Sequence, residues 1–209
     1  MKYDSSGVAQ WAKNPASSSL TDLARGVAVD INGNVYVSGE SDYSLNFGDG
    51  VTLTNHASIM NYTFFVVKYD SNGVAQWVRS TVSANGTGSD FAYGVAVDVN
   101  SNVYVAGKSL SPSLDLGGVS NDVNLTNRGS NDFFVVKYDS SGVAQWAKNP
   151  ASGSGTSTDI ANSVAVDSSG NVYVAGEFYN TISFGGDVNL INQGTTSYYD
   201  FYVVKYEYS

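Results

Sequence analysis

Lys137-Tyr138-Asp139-Ser140-Ser141-Gly142-Val143-Ala144-Gln145-Trp146 is the stretch that decides the fold, because the chain writes it three times. Residues 2–11 carry the same ten letters, and residues 68–77 differ from them in Asn72 alone. Lys205-Tyr206-Glu207 opens a fourth, clipped copy, so the copies stand 66, 69 and 68 residues apart. A repeat of that size cannot bury its apolar faces alone and must stack on its neighbours. The 209 residues therefore read as one repeat array over 1–209. Its units run over about 2–67, 68–136 and 137–204, with the tail of a third strand reaching 209.

Working outward, each repeat predicts four short strands in two hairpins. In the middle copy Gly94-Val95-Ala96-Val97-Asp98 runs through a polar turn into Val103-Tyr104-Val105-Ala106-Gly107. Residues 26–30 with 35–39, and 163–167 with 172–176, are the equivalents. Asp and Asn suit such turns because they tolerate left-handed backbone and bond their own main chain. The second hairpin is Asp132-Phe133-Phe134-Val135-Val136-Lys137-Tyr138, a turn, and residues 143–148. Continuous apolar runs predict inner strands covered on both faces, whereas the open alternation in 143–148 predicts an outer, half-exposed strand. Between the hairpins lie Gly/Asn/Thr-rich inserts such as 41–63 and 109–131, with short β-like echoes at 45–48, 51–54, 123–126, 182–185 and 188–191. Variable loops on a repeated scaffold are where recognition tends to sit.

Repeated four-stranded antiparallel units without helices predict an all-β fold of β-propeller blades, with half a blade at each end. The pairing of residues 26–39 (GVAVDINGNVYVSG) with residues 132–142 (DFFVVKYDSSG) resembles the bacterial SBBP β-propeller repeat, three times over. Ser163 and Ser101 depart from it where the other copies carry glycine. The resemblance implies a propeller in a secreted or cell-surface protein and implies no catalytic residue. Three closures are open: a ring of three blades, a head-to-tail pair of chains forming six, or a longer array with further blades on either side.

Composition narrows the chemistry. With 19 acidic against 10 basic residues the net charge is −9. No Lys/Arg cluster is present to displace counterions from a phosphate backbone, so no nucleic-acid partner is expected. Cysteine is absent, which excludes disulfides and thiolate metal sites. No apolar run has the length of a membrane span, and residues 1–6 hold no apolar leader segment.

Candidate ligand residues follow the repeat. Asp30, Asn32 and Asn34, and again Asp98, Asn100 and Asn102, resemble the start of a calcium loop, with Asp167, Ser169 and Asn171 a weaker third. The Glu that closes such a loop is missing, since Ser41, Ser109 and Phe178 take its place, so hairpin turns are the favoured reading and calcium the alternative cofactor. Trp11, Trp77 and Trp146 recur once per repeat. They predict packing between blades or, as the alternative, stacking platforms for sugars. Tyr36, Tyr104 and Tyr173 receive the same two readings. His56 is the one histidine and has no nucleophile motif around it. Glu is confined to Glu40, Glu177 and Glu207, and arginine to Arg25, Arg79 and Arg128 at non-equivalent places. A lyase or glycosidase is thus the third reading. The first is a non-enzymatic module that binds or displays a protein or ligand, with a second copy of itself as a partner; the second is a lectin-like carbohydrate binder.

Overall fold

The computed structural model describes residues 1–17, 21–55, 61–81, 88–117, 123–151, 158–193 and 198–207. Their ordered elements are strands. A short hairpin of β1 (Lys2–Tyr3) and β2 (Ala9–Trp11) precedes β3 (Ala16–Ser17). The first repeat sheet runs in the order β4 (Asp22–Val29), β5 (Val35–Ser41), β8 (Thr63–Tyr69), β9 (Ala75–Arg79). Its insert supplies β6 (Leu45–Gly48) and β7 (Val51–Leu53), which join β3 in a small satellite sheet. The second repeat repeats the order with β10 (Asp90–Val97), β11 (Val103–Ser109), β14 (Asp132–Tyr138) and β15 (Ala144–Lys148). β12 (Ser113–Asp115) and β13 (Asn124–Thr126) form its satellite. The third sheet has three strands, β16 (Asp159–Val166), β17 (Val172–Phe178) and β20 (Asp200–Tyr206), with β18 (Thr181–Ser183) and β19 (Asn189–Ile191) beside it. Every strand pairing within these sheets is antiparallel.

The first strand of each repeat begins four residues before the apolar run that marked it in the sequence. A bulge at the same place in each copy, between Ala24 and Gly26, Ala92 and Gly94, and Ala161 and Ser163, makes this possible. The extra residue bends the strand so that the polar segment from Asp22, Asp90 or Asp159 still pairs. Where φ must be positive in the hairpin turns, Gly33 and Gly170 supply it, and Ser101 adopts it at φ 61 in the second copy.

The cores lie between sheets, as stacking requires. One joins Tyr36, Phe64 and Val66 of the first repeat to Val103, Val105, Leu114, Phe134 and Tyr138 of the second. Another joins Tyr104, Phe133 and Val135 of the second to Val164, Val174, Ile182 and Tyr202 of the third. The third core, around Leu45, Phe47, Phe65 and Tyr69, covers the other face of the first repeat.

The expected propeller is not formed. Among the described residues the strands fall into seven separate sheets, none of which closes, and the third repeat has three strands in place of four. β4 packs on β10 and β10 on β16, but the outer face of the last sheet stays open: Phe201 is 83% and Val203 63% exposed. A ring needs every repeat face covered, and this face has no neighbour among the described residues. The architecture is an open all-β array of stacked antiparallel sheets.

Candidate functional site

Each hairpin turn is organised by one aspartate. Asp30 Oδ1 accepts the N–H groups of Asn32 and Asn34 at 2.9 Å. Its Oδ2 accepts Asn34 Nδ2 at 2.8 Å, the Tyr36 hydroxyl at 3.0 Å and Ser101 Oγ from the next repeat at 3.0 Å. Asp98 and Asp167 repeat the pattern with Asn100, Asn102 and Tyr104, and with Ser169, Asn171 and Tyr173. Burial raises the Asp30 carboxyl, but the donors from Asn34, Ser101 and Tyr36 outweigh it and hold the group below the ordinary carboxylate range. Its folded-state pKa is thus depressed, so the stabilisation is present at neutral pH and is lost on acidification below the unfolded value. Asp30→Asn is expected to destabilise the chain by about 1–2 kcal/mol in urea unfolding at neutral pH, because several charge-assisted bonds are lost at once.

The tryptophans sit at the seams between repeats, half-buried. Trp11 Nε1 donates to the Ser71 carbonyl at 3.2 Å, and its ring lies 6.0 Å from that of Tyr69. Trp77 Nε1 donates in the same way to the Ser140 carbonyl at 3.2 Å, beside Tyr36 at 6.1 Å. Arg79 clamps the same turn, through Nε to the Gly142 carbonyl at 2.6 Å and Nη2 to that of Ser141 at 3.1 Å. Trp146 stands between Tyr104 (6.2 Å) and Tyr206 (6.4 Å), and a cleft of about 770 Å³ opens beside it. Lys137, Lys148, Tyr206 and Glu207 also line that cleft. One repeat earlier, the corresponding space is filled by the turn at residues 139–142.

The two end faces of the array carry the same residues as the seams inside it. Phe64, Phe133 and Phe201 are equivalent; the first two are 0% exposed against 83% for the third. Phe133 meets Phe184 at 5.8 Å and Tyr202 at 5.7 Å, and Phe64 meets Phe134 at 4.9 Å. At the opposite end a groove of about 300 Å³ runs along the first repeat, lined by Trp11, Val27, Val37, Phe47, Phe65 and Tyr69. Val27 is exposed there, while its equivalent Val164 is buried against the second repeat. Sequence reasoning missed these end faces, although the aligned strands Phe64-Phe65-Val66-Val67, Phe133-Phe134-Val135-Val136 and Phe201-Tyr202-Val203-Val204 were the signal that could have found them.

Carboxylates form a second row. Ser41 Oγ donates to Asp22 at 2.6 Å; in the next repeat Asp90 receives Ser109 Oγ (2.7 Å), Ser111 Oγ (3.0 Å) and Thr81 Oγ1 (3.2 Å). Asp159 occupies this position in the third repeat without such donors. Elsewhere Arg25 pairs with the buried Glu40 at 2.6 Å. Among the described residues no group of three or more His, Cys, Asp or Glu side chains gathers, and no helix is long and apolar enough to cross a membrane. His56 lies outside the described residues.

Two comparisons bear on this geometry. An uncharacterized WD repeat-containing protein of Acanthamoeba polyphaga mimivirus is 29% identical over 143 residues, which is 66% of this chain. The matched part spans about a tenth of that viral protein's length. The family model for the SBBP beta-propeller repeat matches residues 17–45, 76–112 and 146–177, one stretch in each of the three stacked units. The chain is an all-β scaffold of three tandem units, each of which carries a match to the SBBP beta-propeller repeat.

Proposed function

We propose that the chain is a non-enzymatic binding module, in the secreted or surface setting the repeat resemblance implies, and that its best-defined partner is a second copy of itself engaged head to tail. The observation that carries this reading is Phe201, which lies open to solvent on a face whose two internal equivalents are completely buried. The groove along Val27, Phe47 and Phe65 of another copy offers the surface that such a face meets inside the array, with Phe201 taking the place that Phe133 has against Tyr202. A second feature supports the same fit. The turn at residues 4–7 has the sequence Asp-Ser-Ser-Gly of residues 139–142, so it matches the cleft beside Trp146 as the internal turn matches Trp77. The interface is heterologous, because two different patches meet.

Light scattering after gel filtration, over a wide concentration range, tests it. The mass is expected to rise from 22.1 kDa toward twice that value or more as concentration increases. Phe201→Ser and Val27→Asp each remove one of the two patches, and both positions are exposed in the single chain. Each variant alone should stay at 22.1 kDa, and their mixture should form a one-to-one pair through the remaining intact patches. Loss of the Phe201 ring should weaken association more than tenfold, since burying such a side chain contributes about 2–3 kcal/mol. A wild-type chain that stays monomeric at every concentration, or variants that associate like it, would overturn the proposal.

A further inference from the structure

The aspartate row described above is satisfied in the second repeat and stripped in the third. The three hydroxyl donors to Asp90 come from Thr81, Ser109 and Ser111; the equivalent positions around Asp159 hold Pro150, Phe178 and Asn180. Asp159 is 0% exposed, and neither of its carboxylate oxygens has a hydrogen bond of ordinary geometry. The change goes further. Where the first seam has Tyr62 and Thr63, the second has Asn131 and Asp132. The Asp159 N–H donates to the Asn131 carbonyl at 2.9 Å, which brings Asp132 alongside. Asp132 Oδ1 and Asn131 Oδ1 are likewise buried without a donor.

Asp132 is compensated in part, by the backbone N–H groups of Arg128 and Gly129 and by the Arg128 charge, but burial outweighs them, and Asp159 has only a small opposing effect from the Tyr179 N–H. The Arg128 backbone N–H donates to Asp132 Oδ2 at 2.6 Å, while its guanidinium is held on the carbonyls of Pro150 (3.3 Å) and Ala151 (2.6 Å). The Tyr202 hydroxyl, on the same side of the third sheet, is buried and makes no hydrogen bond. Burial first, and then the charge of Asp132, push the Asp159 carboxyl up to about 7, against a small opposing effect of the Tyr179 N–H. Burying two carboxylates with so few donors is costly unless a positive charge lies between them.

We propose that Asp159, Asp132 and Asn131 form a site for one hard divalent cation of the calcium class at the seam between the second and third repeats. Asp159 Oδ1 and Oδ2, Asp132 Oδ1 and Asn131 Oδ1 are all-oxygen donors of the kind calcium takes, with carbonyls or water completing the shell. A proton would satisfy one of these acceptors and leave the others bare. A divalent ion balances both carboxylates, with Asn131 Oδ1, whose amide nitrogen donates to Thr158 Oγ1 at 3.2 Å, as a further buried oxygen. The Asp-x-Asn turns differ here, because their carboxylates already accept from their own turn.

The test uses the full chain stripped with chelator, titrated with calcium chloride by calorimetry and followed by thermal unfolding slightly above neutral pH. Saturable one-to-one binding and a rise in Tm are expected, because a ligand that binds the folded state stabilises it. Asp159→Asn, near-isosteric, should weaken binding at least tenfold and abolish the Tm rise; Asp132→Asn should weaken it as well and stands in should the first variant not fold. Asp90→Asn, in the satisfied copy of the row, should leave calcium binding intact. No heat and no Tm rise with millimolar calcium would overturn the proposal, as would a response that Asp159→Asn and Asp132→Asn retain. A chain whose stability falls as pH rises from about 4 through about 7, with calcium adding nothing, would also overturn it. That result assigns the cluster to a shared proton, since a raised folded-state pKa stabilises the fold at low pH and the contribution is lost as pH passes it.

Discussion

Phe133→Ala is expected to cost about 4 kcal/mol of stability, while Phe201→Ala at the equivalent position of the next repeat should leave the single chain within about 0.5 kcal/mol of wild type. The two residues share a strand position and differ in what lies on them. Phe133 is completely buried, with Phe184 and Tyr202 ring to ring at 5.8 and 5.7 Å, whereas Phe201 is 83% exposed. Removing the Phe133 ring takes away its transfer free energy and leaves a cavity that two packed sheets cannot close by moving one side chain. At Phe201 the substitution removes a ring that already lies in water, so little is lost. Guanidinium unfolding at low protein concentration, where chains are separate, gives both numbers from paired midpoints. Equal costs at the two positions would mean that the last sheet is covered within the chain, against the open array.

Such a pair shows what one sequence can reveal and what it cannot. The strands were legible: Val35-Tyr36-Val37 and its two copies carry their own periodicity, and the decamers, alike but for Asn72, located the second hairpins. The repeat family was legible for the same reason. Closure into a propeller was not, because Phe64, Phe133 and Phe201 look alike in sequence, and whether a ring is buried depends on a sheet contributed from elsewhere. Strand starts were misplaced by four residues since a bulge is a property of two strands at once. The Asp159 cluster lay within reach. Aligning Ser41, Ser109 and Phe178 exposes the lost hydroxyl, but the consequence needs Asp132 brought beside it by the pairing of Asn131 with Thr158.

The bulge also sets the second large effect, at Gly107. This residue pairs with Ala92 at the point where the register of β10 shifts, and a Cβ built on it would land on the carbonyl oxygen of Phe91 and meet Ala92 Cα at 3.0 Å. Gly39 and Gly176 face the carbonyls of Leu23 and Ile160 in the same way, so the glycine belongs to the repeat. The obstruction is backbone, which has no rotamer with which to yield. The strands must separate or the bulge must be lost, and either breaks ladder hydrogen bonds in the middle sheet, on which both seams depend. Gly107→Ala is therefore expected to cost more than about 3 kcal/mol, at the upper end of what overpacking does. Gly7→Ala is the comparator. There φ is +79° and nothing lies within 4 Å, so about 1 kcal/mol of backbone strain is the whole expected cost. Denaturant midpoints of the two variants separate steric from conformational effects. A Gly107→Ala chain no less stable than Gly7→Ala would show that β10 and β11 part at the bulge without penalty, and would remove the close backbone approach as the reason this glycine recurs.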